Sequence, residues 1–398
     1  MTATNPEAPP LRVAVIGYSF MGRIHTQAWL TAGRFFDLGT RVEVAAVCGR
    51  DAAAAAEFAE RFGIPRVFTD WRDVVADPGI DVVDICTPGD THAEIAIAAL
   101  DAGTHVLCEK PLANSVADAE RMTEAAEAAA ARGVRSLVGF NYRRTPALAL
   151  ARRLVEQGRI GEIRHIRATY LQDWIADPAF PLVWRLRADV AGSGALGDIG
   201  AHIVDLAAHV TGHRLSGVSA LTETFVKQRP LAGSSAGLAA TADGVGGEAR
   251  MGEVTVDDAV VVIARTDRGA LATFEATRFA TGRRNAMAIE VNGSRGSFRF
   301  DFERMNELEF HDHTLPAAEH GFRRILATEP DHPYAGAWWP PGHGLGYEQT
   351  FVHEVADFAT AIVAGTPVEP SFRDGLYVQR VLDAIAHSAA NDAAWSAV

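Results

Sequence analysis

The sequence predicts an α/β chain: an N-terminal doubly wound parallel sheet, then an α+β region on a largely antiparallel open sheet. Three observations carry this. Short apolar runs alternate with helical patterns up to about residue 140. The first run ends in a glycine turn that leads directly into a helix. After Phe140, strand-like runs follow one another with few helices between them.

Leu11–Ile16 is apolar and of strand length, and it ends in Gly17-Tyr18-Ser19-Phe20-Met21-Gly22. Helical periodicity follows from Phe20 to Ala32. In a strand–glycine turn–helix unit, N–H groups at the helix start meet the pyrophosphate of a dinucleotide. Ser19 stands where the usual fingerprint has its middle glycine, the one that lets backbone approach the phosphates, and so weakens the motif. Runs at Val42–Cys48, Val82–Ile85, His105–Cys108 and Ser136–Gly139 alternate with helices over Ala52–Phe62, Thr91–Asp101 and Ser115–Arg132. This rhythm implies parallel strands with helices on both faces. Ligands bind beyond the carboxyl ends of such strands. Those ends carry Gly17, Gly49-Arg50, Thr87-Pro88 and Glu109-Lys110-Pro111.

Asn141–Pro146 reads as a junction, and a helix follows over Ala147–Gln157. Strand-like runs then cover Glu162–Gln172, Val218–Phe225, Thr255–Arg265, Ala270–Ala276, Ala286–Val291 and Gly296–Phe302, which argues for an α+β domain. The expected domains are therefore residues 1–145 and 146–398, with closing helices at Tyr347–Ala364 and Arg373–Asn391 that can pack back on the first domain. Arg229–Gly252, rich in Gly, Ala and Ser, reads as an exposed connection between two strands, with a lid over the site as the sharper alternative.

With 398 residues and 48% hydrophobic content, the chain can bury two domain cores. Its net charge of -13 argues against nucleic acid or an anionic membrane as partner. No stretch is long and apolar enough for a membrane span, and the first ten residues lack the features of a secretory signal, so the expected location is the cytoplasm. Cys48, Cys86 and Cys108, each near the end of an expected strand, fit reduced core thiols, and no motif sets a base beside any of them.

The densest chemistry lies at Gly197-Asp198-Ile199-Gly200-Ala201-His202-Ile203-Val204-Asp205. Helical spacing puts Asp198 and His202 on one face, where a carboxylate and an imidazole can move a proton near neutral pH. Ile199, Ile203, Leu206 and Val210 form a separate buried stripe, so the polar side is expected to face outward. His202, Asp205 and His209 also share a face and have the spacing of a metal site. No separate ligand cluster presents itself, so no metal is expected, and Asp205 and His209 read as packing or pairing residues.

Gly17-x-x-x-Met21-Gly22-x-x-His25, Thr87-Pro88-x-x-x-His92, Glu109-Lys110-Pro111 and Gly197-Asp198-x-Gly200-x-His202-x-x-Asp205 occur in that order. The ordered set resembles the family of glucose–fructose oxidoreductase, inositol dehydrogenase and MocA-type (Gfo/Idh/MocA) oxidoreductases, from about Leu11 to the final helices. Tyr170–Trp174, Trp184-Arg185, Gly192–Asp198 and Trp338–His343 are most similar to its levoglucosan dehydrogenase-like sugar dehydrogenases. The resemblance implies a Rossmann domain and a catalytic set of Lys110, Asp198 and His202. It implies cofactor binding by Gly17, Ser19, Phe20, Met21, Gly22, Gly49, Arg50, Thr87, Pro88, His92, Glu109, Lys110, Asn141, Trp184 and Arg185. It implies substrate binding by Lys110, Tyr142, Gln172, Trp174, Asp198, His202 and His343. In these roles His202 is the base, Asp198 holds its tautomer, Lys110 stabilises the developing alkoxide, and Glu109 lies against the ribose or nicotinamide edge.

The cofactor is expected to be NAD(P). The second strand runs into Cys48-Gly49-Arg50-Asp51, with no acid at the position that reads the ribose 2′-hydroxyl. Arg50 suits a 2′-phosphate, a lean towards NADP or dual use, while Asp51 falls late and reads as a helix cap. The expected activity is NAD(P)-dependent oxidation of a secondary hydroxyl, position 3 favoured, on a pyranose or anhydrosugar. Alternatives are a cyclitol dehydrogenase, a redox-neutral enzyme with tightly held nicotinamide, and a non-catalytic binding protein. An exposed sheet face in the second domain leads us to expect a homodimer or homotetramer.

Overall fold

The computed structural model describes residues 9–231 and 250–398. The start of the N-terminal segment and most of the Arg229–Gly252 connection lie outside the described residues. The chain divides into two compact units, Met1–Asn141 with Gly346–Gln379, and Tyr142–Leu345 with Arg380–Val398.

In the first unit the elements run β1 (Leu11–Ile16), α1 (Phe20–Phe35), β2 (Val42–Cys48), α2 (Ala52–Phe62), β3 (Val67–Phe68), α3 (Trp71–Val75), β4 (Val82–Ile85), α4 (His92–Asp101), β5 (His105–Cys108), α5 (Val116–Ala130) and β6 (Ser136–Val138). The strands form a parallel sheet of order β3-β2-β1-β4-β5-β6. Val13, Val15, Val82, Val83, Val106 and Leu107 are fully buried, the near-continuous apolar reading expected of strands covered on both faces. Strand order reverses between β1 and β4, which opens a crevice at their carboxyl ends. The short β3 and α3 escaped the sequence reading because each is too brief to show a period.

The second unit runs α6 (Pro146–Glu156), β7 (Ile163–Leu171), α7 (Ala188–Ala191), α8 (Ala201–Thr211), β8 (Leu215–Glu223), β9 (Gln228–Pro230), β10 (Met251–Glu253), β11 (Ala259–Thr266), β12 (Leu271–Thr277), β13 (Ala286–Gly293), β14 (Gly296–Asp301), β15 (Glu307–Asp312) and β16 (Arg323–Leu326). The chain closes with α9 (Tyr347–Ala364), α10 (Phe372–Ala390) and β17 (Ser396–Ala397). The nine-stranded sheet has the order β16-β15-β14-β13-β7-β12-β11-β8-β17. Only its β7–β12 pairing is parallel. Alternation is clean on β11: Val260, Val262 and Ala264 are buried, while Val261 and Ile263 lie on the exposed face with Leu221 and Leu271. The strand expected at Thr255 begins four residues later, because Asp258 turns inward and accepts from the Phe225 and Val226 amides. The two ends of the Gly-rich connection pair as β9 and β10.

Helix α9 packs on α1 within the first unit. Tyr347 stacks on Phe20 with ring centroids 6.5 Å apart, Phe351 meets His25 at 5.3 Å, and Phe358 meets Trp29 at 6.5 Å. That aromatic stripe is why residues 346–379 rejoin the first unit, the packing-back that the closing helices were expected to allow, although the chain boundary was drawn at residue 145. No helix among the described residues is long and apolar enough to cross a membrane.

Candidate active site

The β1–α1 turn admits no side chain at two points. Gly17 has φ +105°, and a Cβ there would lie 2.8 Å from the Cys86 carbonyl oxygen. A Cβ on Gly22 would come within 1.8 Å of the Gly17 carbonyl oxygen. Ser19, by contrast, has φ -74°, which suits a residue with a side chain. Its hydroxyl makes no cap hydrogen bond, and no acid occupies the first turn of α1. The first amides of this 16-residue helix therefore face a position suited to an anion, which fits the pyrophosphate of a dinucleotide.

At the end of β2, Asp51 accepts from the Ala53 and Ala54 amides at 3.0 and 3.1 Å and caps α2. Arg50 beside it is exposed.

The ends of β4 and β5 meet α1 in a buried polar chain. His25 Nδ1 is 2.9 Å from Asp84 Oδ1, and its Nε2 is 2.9 Å from Glu109 Oε1. Trp29 Nε1 donates to Asp84 Oδ2 at 2.7 Å, and Glu109 Oε2 accepts the Lys110 amide at 3.1 Å. A neutral imidazole has one N–H and cannot donate to two carboxylates, so this geometry calls for an imidazolium. Burial alone would push the His25 pKa down, but the Asp84 charge and hydrogen bond hold it well above the usual histidine range. Burial likewise pushes Glu109 up, but hydrogen bonding and charge from His25, with help from Lys110, hold it below the usual carboxylate range. Glu109 was expected against the cofactor. Its two oxygens instead turn inward, to His25 and to the Lys110 backbone, which fixes the loop carrying Lys110.

Two further residues expected at the cofactor also hydrogen-bond within the protein. His92 is buried, with Nε2 2.9 Å from the Thr87 carbonyl and Nδ1 3.1 Å from that of Pro111, so it clamps two strand-end loops together. Asn141, also buried, donates to Thr350 Oγ1 at 2.7 Å. The three cysteines are free and buried, and burial pushes the Cys48 thiol up to about 12, the opposite of an activated nucleophile.

In the second unit, Leu196–Gly200 form a π-helical turn that runs into α8. The spacing from Asp198 to His202 therefore spans a widened turn, not an ordinary α-helical one. The expected stripe of Ile199, Ile203, Leu206 and Val210 is buried. The outward polar face is not found: His202 and Asp205 are buried too. Asp205 pairs with Arg143 through bonds of 2.8 and 2.5 Å, and His209 Nδ1 accepts from Arg152 at 2.6 Å. Both therefore serve packing and pairing. Burial, followed by the charges of Arg143, Arg152 and Arg144, pushes His209 well below the usual histidine range.

His202 sits among rings, with centroids 4.7 Å from Tyr142 and 5.9 Å from Tyr170. The two tyrosine hydroxyls are 2.6 Å apart, Tyr170 donates to Asn285 Oδ1 at 2.6 Å, and Gln172 donates to the same oxygen at 2.9 Å. Asp198 lies 3.6 Å from Arg278, a fully buried guanidinium that also donates to the Asp257 carbonyl at 3.1 Å. Arg278 is 5.6 Å over the Trp174 ring, and Trp174 itself packs on the cluster of Ile175, Val183, Leu186, Val254 and Val256. Arg185 covers the Trp184 ring at 4.3 Å. His343 is exposed, its Nδ1 2.8 Å from the Pro340 carbonyl in its own turn. Arg278, Asn285 and Asp84 were missed in the sequence. Each is a lone polar residue near a strand end, and only the partners brought in by folding give it meaning.

A doubly wound sheet with a side-chain-free dinucleotide turn, joined to an α+β unit holding a histidine among tyrosines, defines a dinucleotide-dependent oxidoreductase. Residues 11–140 match the oxidoreductase family model with NAD-binding Rossmann fold, and residues 148–299 match the GFO/IDH/MocA C-terminal domain. The chain is 44% identical over 384 residues to levoglucosan dehydrogenase of Pseudarthrobacter phenanthrenivorans, covering 96% of this chain and 97% of that protein. It superposes on an oxidoreductase domain protein from Kribbella flavida with TM-score 0.93 and 56% identity, covering 98% of this chain and 100% of the other. Levoglucosan dehydrogenase solved with NADH and levoglucosan gives TM-score 0.90 at 41% identity, covering 98% of this chain and 100% of that one. The chain belongs to the Gfo/Idh/MocA oxidoreductase family, and it is an NAD(P)-dependent dehydrogenase acting on CH–OH groups.

Proposed function

We propose that this enzyme oxidises a secondary ring hydroxyl of a pyranose or anhydrosugar of the levoglucosan type, position 3 favoured, to the keto-sugar. The observation that carries this reading is the 44% identity to levoglucosan dehydrogenase, which extends over both units. The polar set of Tyr142, Tyr170, Gln172 and Asn285 beside His202 supports it, since sugar recognition needs several hydroxyl partners near the base. When bound, the nicotinamide accepts the hydride. His202 takes the hydroxyl proton, as an imidazole titrating near neutrality can. Asp198 orients that imidazole, and Arg278, 3.6 Å away, helps to hold Asp198 in place. Lys110 stabilises the developing alkoxide. Trp174 and His343 are proposed as further sugar-binding residues, and Trp184 and Arg185 as cofactor-binding ones.

The cofactor reading is NAD with NADP also accepted. The NADH complexes of a 41%-identical relative support the first, and an exposed Arg50 with Asp51 spent on its cap supports the second. Arg50→Ala is expected to weaken NADP binding far more than NAD binding; equal losses would leave Arg50 an adenine-stacking residue. We further place the enzyme in the cytoplasm as a homodimer or homotetramer. The exposed Leu221, Val261, Ile263 and Leu271 on one sheet face support assembly.

The test is absorbance at 340 nm with NAD or NADP and a panel of levoglucosan, glucose, glucosides and inositols. Turnover with levoglucosan or a glucoside is the expected result. A signal with inositols alone would move the enzyme to the cyclitol dehydrogenases. Measurable cofactor binding with no turnover across the panel would favour a redox-neutral enzyme or a binding protein.

A further inference from the structure

In the second unit, the hairpin joining β15 to β16 gathers three histidines. One ring nitrogen from each of His311, His313 and His320 lies within 4.8 Å of the others. His311 and His313 are two apart along extended chain, so their side chains leave the same face. The alternation of β15 shows which face: Leu308, Phe310 and Asp312 are buried, while Glu307, Glu309 and His311 are only partly so. The His313 amide donates to the Arg295 carbonyl at 2.9 Å, which extends the strand geometry through that residue. A short turn over Ala317–Glu319 then brings His320 back, with ring centroids 5.2 Å from His311 and 5.1 Å from His313.

The scaffold beneath the three rings is fixed. Asp312, between the first two histidines and pointing the other way, accepts from the Thr314 amide at 3.0 Å, the Thr314 hydroxyl at 2.6 Å and Arg159 at 2.8 Å. Two of the rings are already oriented by backbone. His311 Nδ1 faces Gly321, 3.2 Å from its carbonyl and accepting from its amide at 3.3 Å, and His320 Nε2 donates to the Leu315 carbonyl at 2.9 Å. An imidazole that gives one N–H to a carbonyl presents its other nitrogen as a lone pair, the usual outer support of a metal-ligating histidine.

We propose that His311, His313 and His320 form a site for a divalent transition metal, zinc, copper or nickel in kind, that clasps the β15–β16 hairpin. The ligand set is three imidazoles with no carboxylate, which selects these ions over magnesium or calcium. Three protein ligands leave one tetrahedral position for water. Metal–nitrogen bonds of about 2.0–2.1 Å place tetrahedral ligands about 3.3 Å apart, so the rings close inward on binding. His313 and His320 are exposed and can make that movement by side-chain rotation. The buried group of His25, Asp84 and Cys86 is also close enough to ligate, but His25 and Cys86 hydrogen-bond to Asp84, and it carries no such proposal.

The experiment titrates chelator-treated full-length protein with zinc chloride by calorimetry and records the electron paramagnetic resonance spectrum of the copper(II) form. One equivalent of zinc in the micromolar range is expected, with nitrogen hyperfine structure from imidazole ligands. His313→Ala and His320→Ala are each expected to weaken zinc binding by about tenfold or more, and the double variant to remove it. Both residues are exposed, so the variants should keep the wild-type circular dichroism and the wild-type turnover of whichever substrate the enzyme uses. Zinc binding that survives unchanged in the double variant, or no binding below millimolar zinc, overturns the proposal.

Discussion

His25 shows how one residue's protonation can organise a functional loop. Its two nitrogens face two carboxylates, and Glu109 passes the constraint to the Lys110 amide. A histidine labelled with ¹⁵N should therefore still show the imidazolium signature at pH 8, well above the ordinary pKa of about 6.5. A neutral-tautomer spectrum at pH 7 would refute the two-carboxylate account. His25→Gln should lower kcat more than it weakens cofactor binding, because the nucleotide turn stays intact while Lys110 loses its anchor. Lys110→Ala should lower kcat by about 100- to 1,000-fold, the scale for removing one donor to a developing oxyanion, with cofactor affinity largely kept. His202→Ala should remove the base ionisation from the pH–rate profile; an unchanged profile would move the base elsewhere. The proposed catalytic set of Lys110, Asp198 and His202 rests on the ordered motifs of the sequence. The inward turn of Glu109 was not, since its partners His25 and Lys110 approach it from α1 and from its own backbone.

At the scale of elements, the Leu196–Gly200 π-turn and α8 show what periodicity cannot supply. Spacing found the apolar stripe correctly, but it could not register that Arg143 reaches Asp205 from before α6 and buries the side expected to face solvent. Arg143→Ala removes the guanidinium that pairs with the buried Asp205 carboxylate and should cost about 3–5 kcal/mol in urea unfolding. Replacing both partners by apolar residues of similar size should cost much less. A small loss in the single variant would mean that water already reaches Asp205. The β1–α1 turn makes the opposite case, since Gly17 and Gly22 were legible because only glycine fits there. Gly22→Ala should abolish dinucleotide binding, measured by quenching of intrinsic fluorescence, because its Cβ has no space beside the Gly17 carbonyl.

For the whole molecule, two histidines shifted in opposite directions, His25 buried and His209 half-buried, set the pH dependence of stability. His25 is raised well above 6.5, so its contribution is complete below that pH and declines as pH rises towards its folded value. His209 is held well below 6.5, so the unfolded chain gains a proton that the folded chain refuses as pH falls, and stability drops on the acid side. Glu109 adds to the acid loss only below its ordinary value of 4.5. Thermal melts between pH 5 and 9 should therefore peak near the ordinary imidazole pKa of about 6.5. A plateau extending to pH 9 would show that His25 does not carry the expected charge.

The sequence by itself determined the alternation of strands and helices in the first unit, the dinucleotide turn, and the ordered motifs on which the proposed catalytic set rests. These are local matters: apolar runs, a glycine where no Cβ fits, and motifs a few residues long. Tertiary structure decided the return of residues 346–379 to the first unit, the burial of α8 on all sides and the inward service of Glu109, His92 and Asn141. It also assembled Arg278, Asn285 and the three hairpin histidines into groups. The hairpin histidines meet across a short turn, while the others depend on partners tens to hundreds of residues apart, joined only when burial makes an unpaired polar group costly.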